Sequence, residues 1–346
     1  MPCLTPSWRG SATIVAATAV VVLGAHAGGG GRSHQDPFAF FDGLVVLEDA
    51  DWQRLDGGEI AVRVLSGSDG SLGVFAASRL DAPADALVEW VRRIEAFKQS
   101  AFVEAVRRFS DPPVIEDLDD LTLDAVDVDA VRSCRTGACG LKLAAHEIAS
   151  LRTAATRGQG WQSAVQQEFR RVVYNRVLAY RSGGLAALPA PADRKDAATP
   201  AEAFAAMLAQ SQYLHDQLPV AESFMYWSKE HYGAGKRVVA VTHVDILRPE
   251  ALHGPAVIVL SKEILATHYR TASLGLTAVV EDPVGLERFL VYVNRSQVDL
   301  LGGLFGGLKR KVIEGRLARD SVTIMSLVRS RLETGMPPSA RNPTVP

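Results

Sequence analysis

Apolar and polar residues recur along this chain with two different periods, and the places where the period changes divide it into segments. Ala61 to Leu65 and Ser71 to Leu80 read as short strands, joined by Ser66-Gly67-Ser68-Asp69-Gly70, a strong turn composition. Asp81-Ala82-Pro83 then opens a helix, because proline is tolerated in the first turn and an aspartate there suits the N-terminal dipole. Leu87, Val88, Val91, Ile94 and Phe97 share one face of it, with Trp90 flanking, and Ser110-Asp111-Pro112-Pro113 closes the unit. From Glu116 to Asp129, aspartates interleave with Leu118, Leu121, Leu123, Val126 and Val128. No glycine-centred calcium loop is present, so this stretch reads as a solvated amphipathic connector.

Helical spacing follows. Trp161 to Arg181 carries Val165, Phe169, Val172, Val173, Val177 and Tyr180 on one stripe and stops at Gly183-Gly184. Thr199-Pro200-Ala201-Glu202 is a capping box with proline at the first helical position, ahead of Phe204, Met207 and Leu208. From Phe224 onward the period shortens. Arg237 to Leu247, Pro255 to Tyr269, Ser273 to Val280 and Glu287 to Asn294 are rich in β-branched residues and separated by turn residues, with Ser223 to Trp227 as a fifth candidate strand. Consecutive strands with short connections predict an antiparallel meander. A last helix is expected from about Ser296 to Glu333, capped by Ser296 and broken near Gly315 or Asp320, followed by a disordered tail over 335–346.

This order predicts an α+β fold: two strands, a helix, a helical insertion, a strand meander and a long terminal helix. Val74-Phe75-Ala76-Ala77-Ser78-Arg79-Leu80-Asp81-Ala82-Pro83-Ala84-Asp85-Ala86-Leu87-Val88-Glu89-Trp90-Val91 resembles the strand, turn and first helix of the helix-grip, or START-like (SRPBCC), superfamily. The resemblance covers about Glu59 to Phe97 and Phe224 to Glu333. It implies an antiparallel sheet curled around the C-terminal helix, with a ligand cavity between them that takes a lipid or another hydrophobic small molecule. On this reading 44–115 and 220–334 are the two parts of the START-like domain, and 116–219 is an insertion foreign to it. The whole chain also looks like an uncharacterised family of exported bacterial proteins, which carries no activity over.

The first residues change the picture. Arg9 and Arg32 are the only charges before Asp36, and Ala12 to Ala27 is an apolar run ending in the small-x-small site Ala25-His26-Ala27. That is a secretory signal pattern over 1–27, ahead of a flexible leader over 28–43, and it predicts a periplasmic or secreted protein; the alternative is an inner-membrane anchor over 12–27. Export leaves Cys134 and Cys139, an even count that favours a structural disulfide over a redox pair or a metal site. The formal charge of −2 offers no basic field for phosphate backbones, so nucleic acid is not an expected partner.

Candidate chemistry is sparse. His243 and Asp245 alternate onto one face of their strand, and His268 lies on the next; together they could serve as acid and base groups, the catalytic alternative to a binding role. A metal would need a further clear ligand, so neither metal nor cofactor is expected. Tyr226, Trp227, His243, Asp245, His268, Tyr269, Arg295, Gly302 and Gly306 are the expected ligand-binding residues: aromatics at a pocket rim, polar groups that orient an apolar ligand, an arginine near a helix start, and a small-residue helix face. Gly302-Gly303-Leu304-Phe305-Gly306-Gly307 lacks the Lys-Ser/Thr that a phosphate loop needs. Lys309 to Arg319 carries five positive charges that could meet anionic lipid at a membrane surface. A third alternative is an envelope scaffold that works through the insertion.

Overall fold

Strands whose alternate side chains are apolar on both sides need cover on both faces, and that requirement organises this chain. The computed structural model describes residues 36–41, 43–65, 67, 70–195, 197–211, 219–231, 235–249, 254–282, 287–299 and 306–335. Before the insertion come α1 (Asp49–Asp56), β1 (Ala61–Leu65), β2 (Ser71–Arg79), α2 (Ala84–Arg92), α3 (Ile94–Lys98) and β3 (Val103–Arg108). Then follow α4 (Ala125–Val131), α5 (Ala145–Ala154), α6 (Trp161–Gly183) and α7 (Pro200–Ala209). The second half holds β4 (Val220–Glu230), β5 (Val238–Leu247), β6 (Gly254–Ala266), β7 (Arg270–Glu281), β8 (Arg288–Val298) and α8 (Gly306–Thr334). The protein is α+β: one eight-stranded antiparallel sheet in the order β1-β2-β8-β7-β6-β5-β4-β3, with a long C-terminal helix.

Two faces result. On one, Ala76, Val244, Ile246, Val257, Val259, Val279 and Leu290 pack with Leu87, Val88 and Val91 of α2, Ile94 of α3, and Met325 and Leu332 of α8. On the other, Phe75, Ala77, Leu276, Val291 and Val293 meet Phe38, Phe41, Leu55 and the α7 residues Phe204 and Met207. Further along that second face, Met225, Trp227, Val239 and Val241 bury against Val128 of α4, Ile148 and Leu151 of α5, and Val165, Phe169 and Val173 of α6. These are called the α8 face and the insertion face below.

Several expectations need correction. β3 was not foreseen, and it forms one edge of the sheet beside β4. The first helix breaks at Arg93, whose backbone leaves the helical region, into α2 and α3. The acidic stretch is solvated at Glu116, Asp119, Asp120 and Asp129 and packs through Leu118, Leu121, Leu123 and Val128 as read, but two of its aspartates are buried. Asp117 is buried and accepts from the Ser110 backbone and hydroxyl and from Val114 N–H, while Asp127 is buried beside His268. β8 continues through Ser296 to Val298, so Ser296 caps no helix and Arg295 stands at no helix start; α8 begins at Gly306 and runs unbroken past Gly315 and Asp320. The capping box at Thr199 and Glu202 is present as read, and Cys134 is disulfide-bonded to Cys139. The signal pattern, most of the leader, Ser68, Gly302 and the tail from 336 lie outside the described residues. No described helix is long and apolar enough to cross a membrane.

The insertion is pinned by buried charge. Arg176 of α6 makes a two-pronged pair with Glu147 of α5, both almost fully buried, and Glu147 also accepts from Ala144 N–H. Removing one partner leaves an uncompensated interior charge. Arg176→Ala is expected to cost about 3–5 kcal/mol in urea unfolding, against at most about 1 kcal/mol for Arg181→Ala, whose pair with Asp111 is solvent-exposed. Equal losses would contradict this assignment.

Candidate functional site

In an antiparallel sheet, residues directly opposite one another share a face, so the pairing register sorts the α8 face into rows. Tyr226, Thr242, Glu263, Ser273 and Ser296 form the first row. Phe224, Val244, Ser261, Gly275 and Asn294 form the second. Ile246, Val259, Thr277, Tyr292 and Ala76 form the third. Val257, Val279, Leu290 and Ser78 form the fourth. Polarity falls from the first row to the fourth, over about 20 Å at two residues per step.

Coverage is uneven across these rows: in the first, Tyr226, Thr242, Glu263 and Ser273 are buried. The fourth row and most of the third are buried under α2 and α8, whereas Ser261, Thr277, Tyr292, Asn294 and Ser296 are only half-buried. The α8 stripe changes in step. Ser321, Met325 and Leu332 are buried, but Ile313, Glu314, Leu317 and Ala318, nearer its start, are half-buried. Tyr292 sits deep enough that burial pushes its phenol pKa up to about 12, and no described residue hydrogen-bonds it. It is a neutral donor at any ordinary pH.

The polar groups there are closely linked. Asn294 Nδ2 donates to Ser273 Oγ at 3.0 Å, Ser296 Oγ donates to Asn294 Oδ1 at 2.9 Å, and the two serine hydroxyls are 2.8 Å apart. Beside them Arg270 grips Glu263 through two bonds of 2.5 and 2.6 Å, and Lys98 Nζ lies 3.0 Å from Glu230, which also accepts from Ser228 at 2.8 Å. Lys98 Nζ stands 5.9 Å from the Tyr226 ring centre. A Cβ added at Gly275 would meet only ordinary contacts with Asn294 and Ser261, so the floor of the second row is small and polar.

Of the residues expected from sequence, Tyr226 lies on this face. Most of the others lie elsewhere. Trp227 is buried on the insertion face, its indole donating to Asp117 O at 2.8 Å. Arg295 is buried on the same side of the sheet and donates to Gln210 Oε1. His268 is buried with its Nε2 2.8 Å from Asp127 Oδ2, and Lys236 Nζ reaches the other carboxylate oxygen at 2.7 Å. Burial raises the Asp127 pKa, but the hydrogen bonds from His268 and Lys236 outweigh it and hold the carboxyl below its ordinary value. Tyr269 stands in the β6–β7 turn with a positive φ of 68°, its hydroxyl accepting from Lys236 N–H. Gly306 opens α8.

His243 and Asp245 do share a face, the insertion face, where α6 covers them. Ser223 Oγ donates to Asp245 Oδ1 at 2.9 Å, and Lys262 Nζ lies 3.0 Å from Asp245 Oδ2. With its one proton committed to Asp245, Ser223 accepts from His243 Nε2–H at 2.6 Å, and His243 Nδ1 accepts from Tyr180 O–H at 2.9 Å. The chain of bonds locks α6 to β4 and β5 and does not aim the serine at a substrate. His268 belongs to the separate Asp127 pair, so the three groups of the acid–base reading are not brought together. Among the described residues, no three His, Cys, Asp or Glu side chains converge as metal ligands.

The half-buried set Ser261, Thr277, Tyr292, Asn294 and Ser296 was overlooked in the sequence, although a signal existed. From Ser273 to Thr277 in β7 and from Tyr292 to Ser296 in β8 every second residue is small, polar or a tyrosine, while Leu274, Leu276 and Val293 alternate with them. Strands apolar on one side and polar on the other have one face that is not a dry core. No family model matches the sequence, and neither characterised proteins nor solved structures give a match.

The His243 network carries a pH dependence. Burial lowers the His243 pKa below 6.5, Asp245 opposes the shift, and Lys262 and Arg181 add to it. Below the ordinary histidine value the unfolded chain therefore binds a proton that the folded chain does not. This stability contribution is complete above pH 6.5 and is lost as pH falls toward the folded-state pKa. Thermal melts are expected to show a shallower fall in Tm from pH 7 to pH 5 for His243→Asn than for the unsubstituted protein; parallel curves would count against the assignment.

Proposed function

We propose that this is an exported binding protein of helix-grip, START-like fold, which holds a lipid or another hydrophobic small molecule between the central sheet and α8. One observation carries the reading: a deep, half-covered band of polar and aromatic side chains grades into an apolar floor on the face that α8 closes. Such a surface suits an amphiphile, whose apolar part gains about 25 cal/mol per Å² on leaving water. The element order supports the fold assignment. Strand β2, two short helices, six antiparallel strands β3 to β8 with β8 beside β2, and a long last helix follow the order that the helix-grip reading expects, with β1 and the helices between β3 and β4 as additions. The helices inserted after β3 lie on the far face and leave the ligand side clear. The signal pattern and the Cys134–Cys139 disulfide support an oxidising, extracytoplasmic location.

The ligand contacts on this reading are Tyr226, Ser261, Thr277, Tyr292, Asn294 and Ser296. Solvent extraction of purified protein followed by mass spectrometry is expected to release a bound amphiphile. Thr277→Trp is expected to lower the affinity for a neutral fluorescent apolar probe by at least about tenfold, roughly 1.4 kcal/mol, with little change in Tm, because the new ring occupies ligand space. A protein that yields no extractable or exchangeable ligand, or a Thr277→Trp variant that binds as before, contradicts the proposal. Export is checked separately: the protein recovered from a periplasmic fraction is expected to begin at Gly28, and an intact Met1 there would refute cleavage.

A further inference from the structure

We infer that the head group of the bound molecule is uncharged: an alcohol, acylglycerol or amide rather than a fatty acid or an acidic phospholipid. The inference rests on the binding reading above and concerns the polar end of the same site.

Two features of that end exclude an anion. The first is charge balance. Among the described residues Arg270 and Lys98 stand beside the first row, and each already faces a carboxylate, Glu263 and Glu230, with Arg270 Nη2 also 3.7 Å from Glu230. Both carboxylates are over nine-tenths buried. An incoming anion must either displace a two-pronged arginine pair or stand beside buried negative charge, where Coulomb repulsion is weakly screened.

The second feature is proton accounting. Ser296 spends its hydroxyl proton on Asn294 Oδ1, so the proton between the two serines comes from Ser273, and Ser273 in turn accepts from Asn294 Nδ2. The ring of three is closed. What it still presents is mainly lone pairs on Ser273, Ser296 and Asn294 Oδ1, with one amide hydrogen, while Tyr292 adds a phenolic hydrogen in the next row. A ligand hydroxyl or amide both donates and accepts and fits this mixture. A carboxylate only accepts, and it meets the lone pairs unpaired. The hydrocarbon portion lies along the half-buried part of the third row, over Thr277 and the Tyr292 ring.

The test is displacement of the neutral probe N-phenyl-1-naphthylamine from the purified protein by dodecanol, monolauroylglycerol and laurate, which share one chain length. Dodecanol and monolauroylglycerol are expected to displace the probe at concentrations at least about tenfold below laurate. Glu263→Gln removes the carboxylate opposite Arg270, so the laurate-to-dodecanol ratio is expected to shift about tenfold toward laurate. Glu230→Gln, which acts on Lys98, serves the same purpose should Glu263→Gln fail to fold, with circular dichroism reporting the fold of each. Laurate displacing as well as dodecanol, or a ratio unmoved in a folded Glu-to-Gln variant, overturns the neutral-head inference and leaves the carrier reading standing. Failure of the probe and all three amphiphiles to bind overturns both.

Discussion

A β-sheet has two sides, and this one treats them differently. On the insertion face, helices from the segment between β3 and β4, α7 among them, together with α1, cover the strands with apolar side chains, Trp227, Phe75, Phe169, Phe204 and Phe289 almost wholly buried. On the α8 face, cover is complete over the fourth row and partial over Ser261, Thr277, Tyr292, Asn294 and Ser296 of β6 to β8. The register that puts Val257, Val279 and Leu290 beneath α2 and α8 also places Ser261, Asn294 and Ser296 where no comparable cover reaches. A one-residue slip of β7 would exchange Ser273 and Gly275 for Leu274 and Leu276, and one of β8 would exchange Asn294 for Val293, so register alone decides which side chains this face presents.

Charge chemistry keeps the insertion on its side of the sheet. Asp127 ties α4 to His268 and Lys236, Lys142 reaches Asp299 at 2.7 Å, and Thr267 O accepts from Lys142 N–H. These contacts converge on the β6–β7 turn and hold Tyr269 in its left-handed conformation, which costs a non-glycine residue about 1–2 kcal/mol. Asp299 N–H donates to Tyr269 O, and the Tyr269 hydroxyl accepts from Lys236 N–H. The same turn leads into Arg270 and Ser273, so the scaffold that fixes the insertion also fixes the polar end of the proposed recess.

Local signals in the sequence were faithful where the causes are local. The Thr199–Glu202 box, the stop of α6 at Gly183-Gly184, the β1–β2 hairpin and the β-branched strands all stand where residues a few positions apart can specify them. What escaped notice depends on distant partners. β3 is short and carries Glu104, Arg107 and Arg108, which suits an edge but hides its period. Asp127 reads as solvated because its partners, Lys236 and His268, lie far along the chain. Ser296 has the chemistry of a helix cap and instead completes a strand, because Ser273 and Asn294 meet it across the sheet. His243 and Asp245 were correctly put on one side of β5, but alternation does not say which side α6 will occupy.

Accessible space over Thr277 is what the binding account requires, and Val279, its neighbour along β7 on the same face, supplies the comparison. Once residues 1–27 are removed, the only native cysteines are the disulfide pair, so an introduced cysteine reports alone. The most direct measurement is the rate at which an apolar maleimide modifies Thr277→Cys and Val279→Cys under native conditions. Fast labelling at 277, slowed by dodecanol, with protection at 279, is the predicted result. Equal protection at both positions would mean that the interior is closed, and the binding account would be wrong.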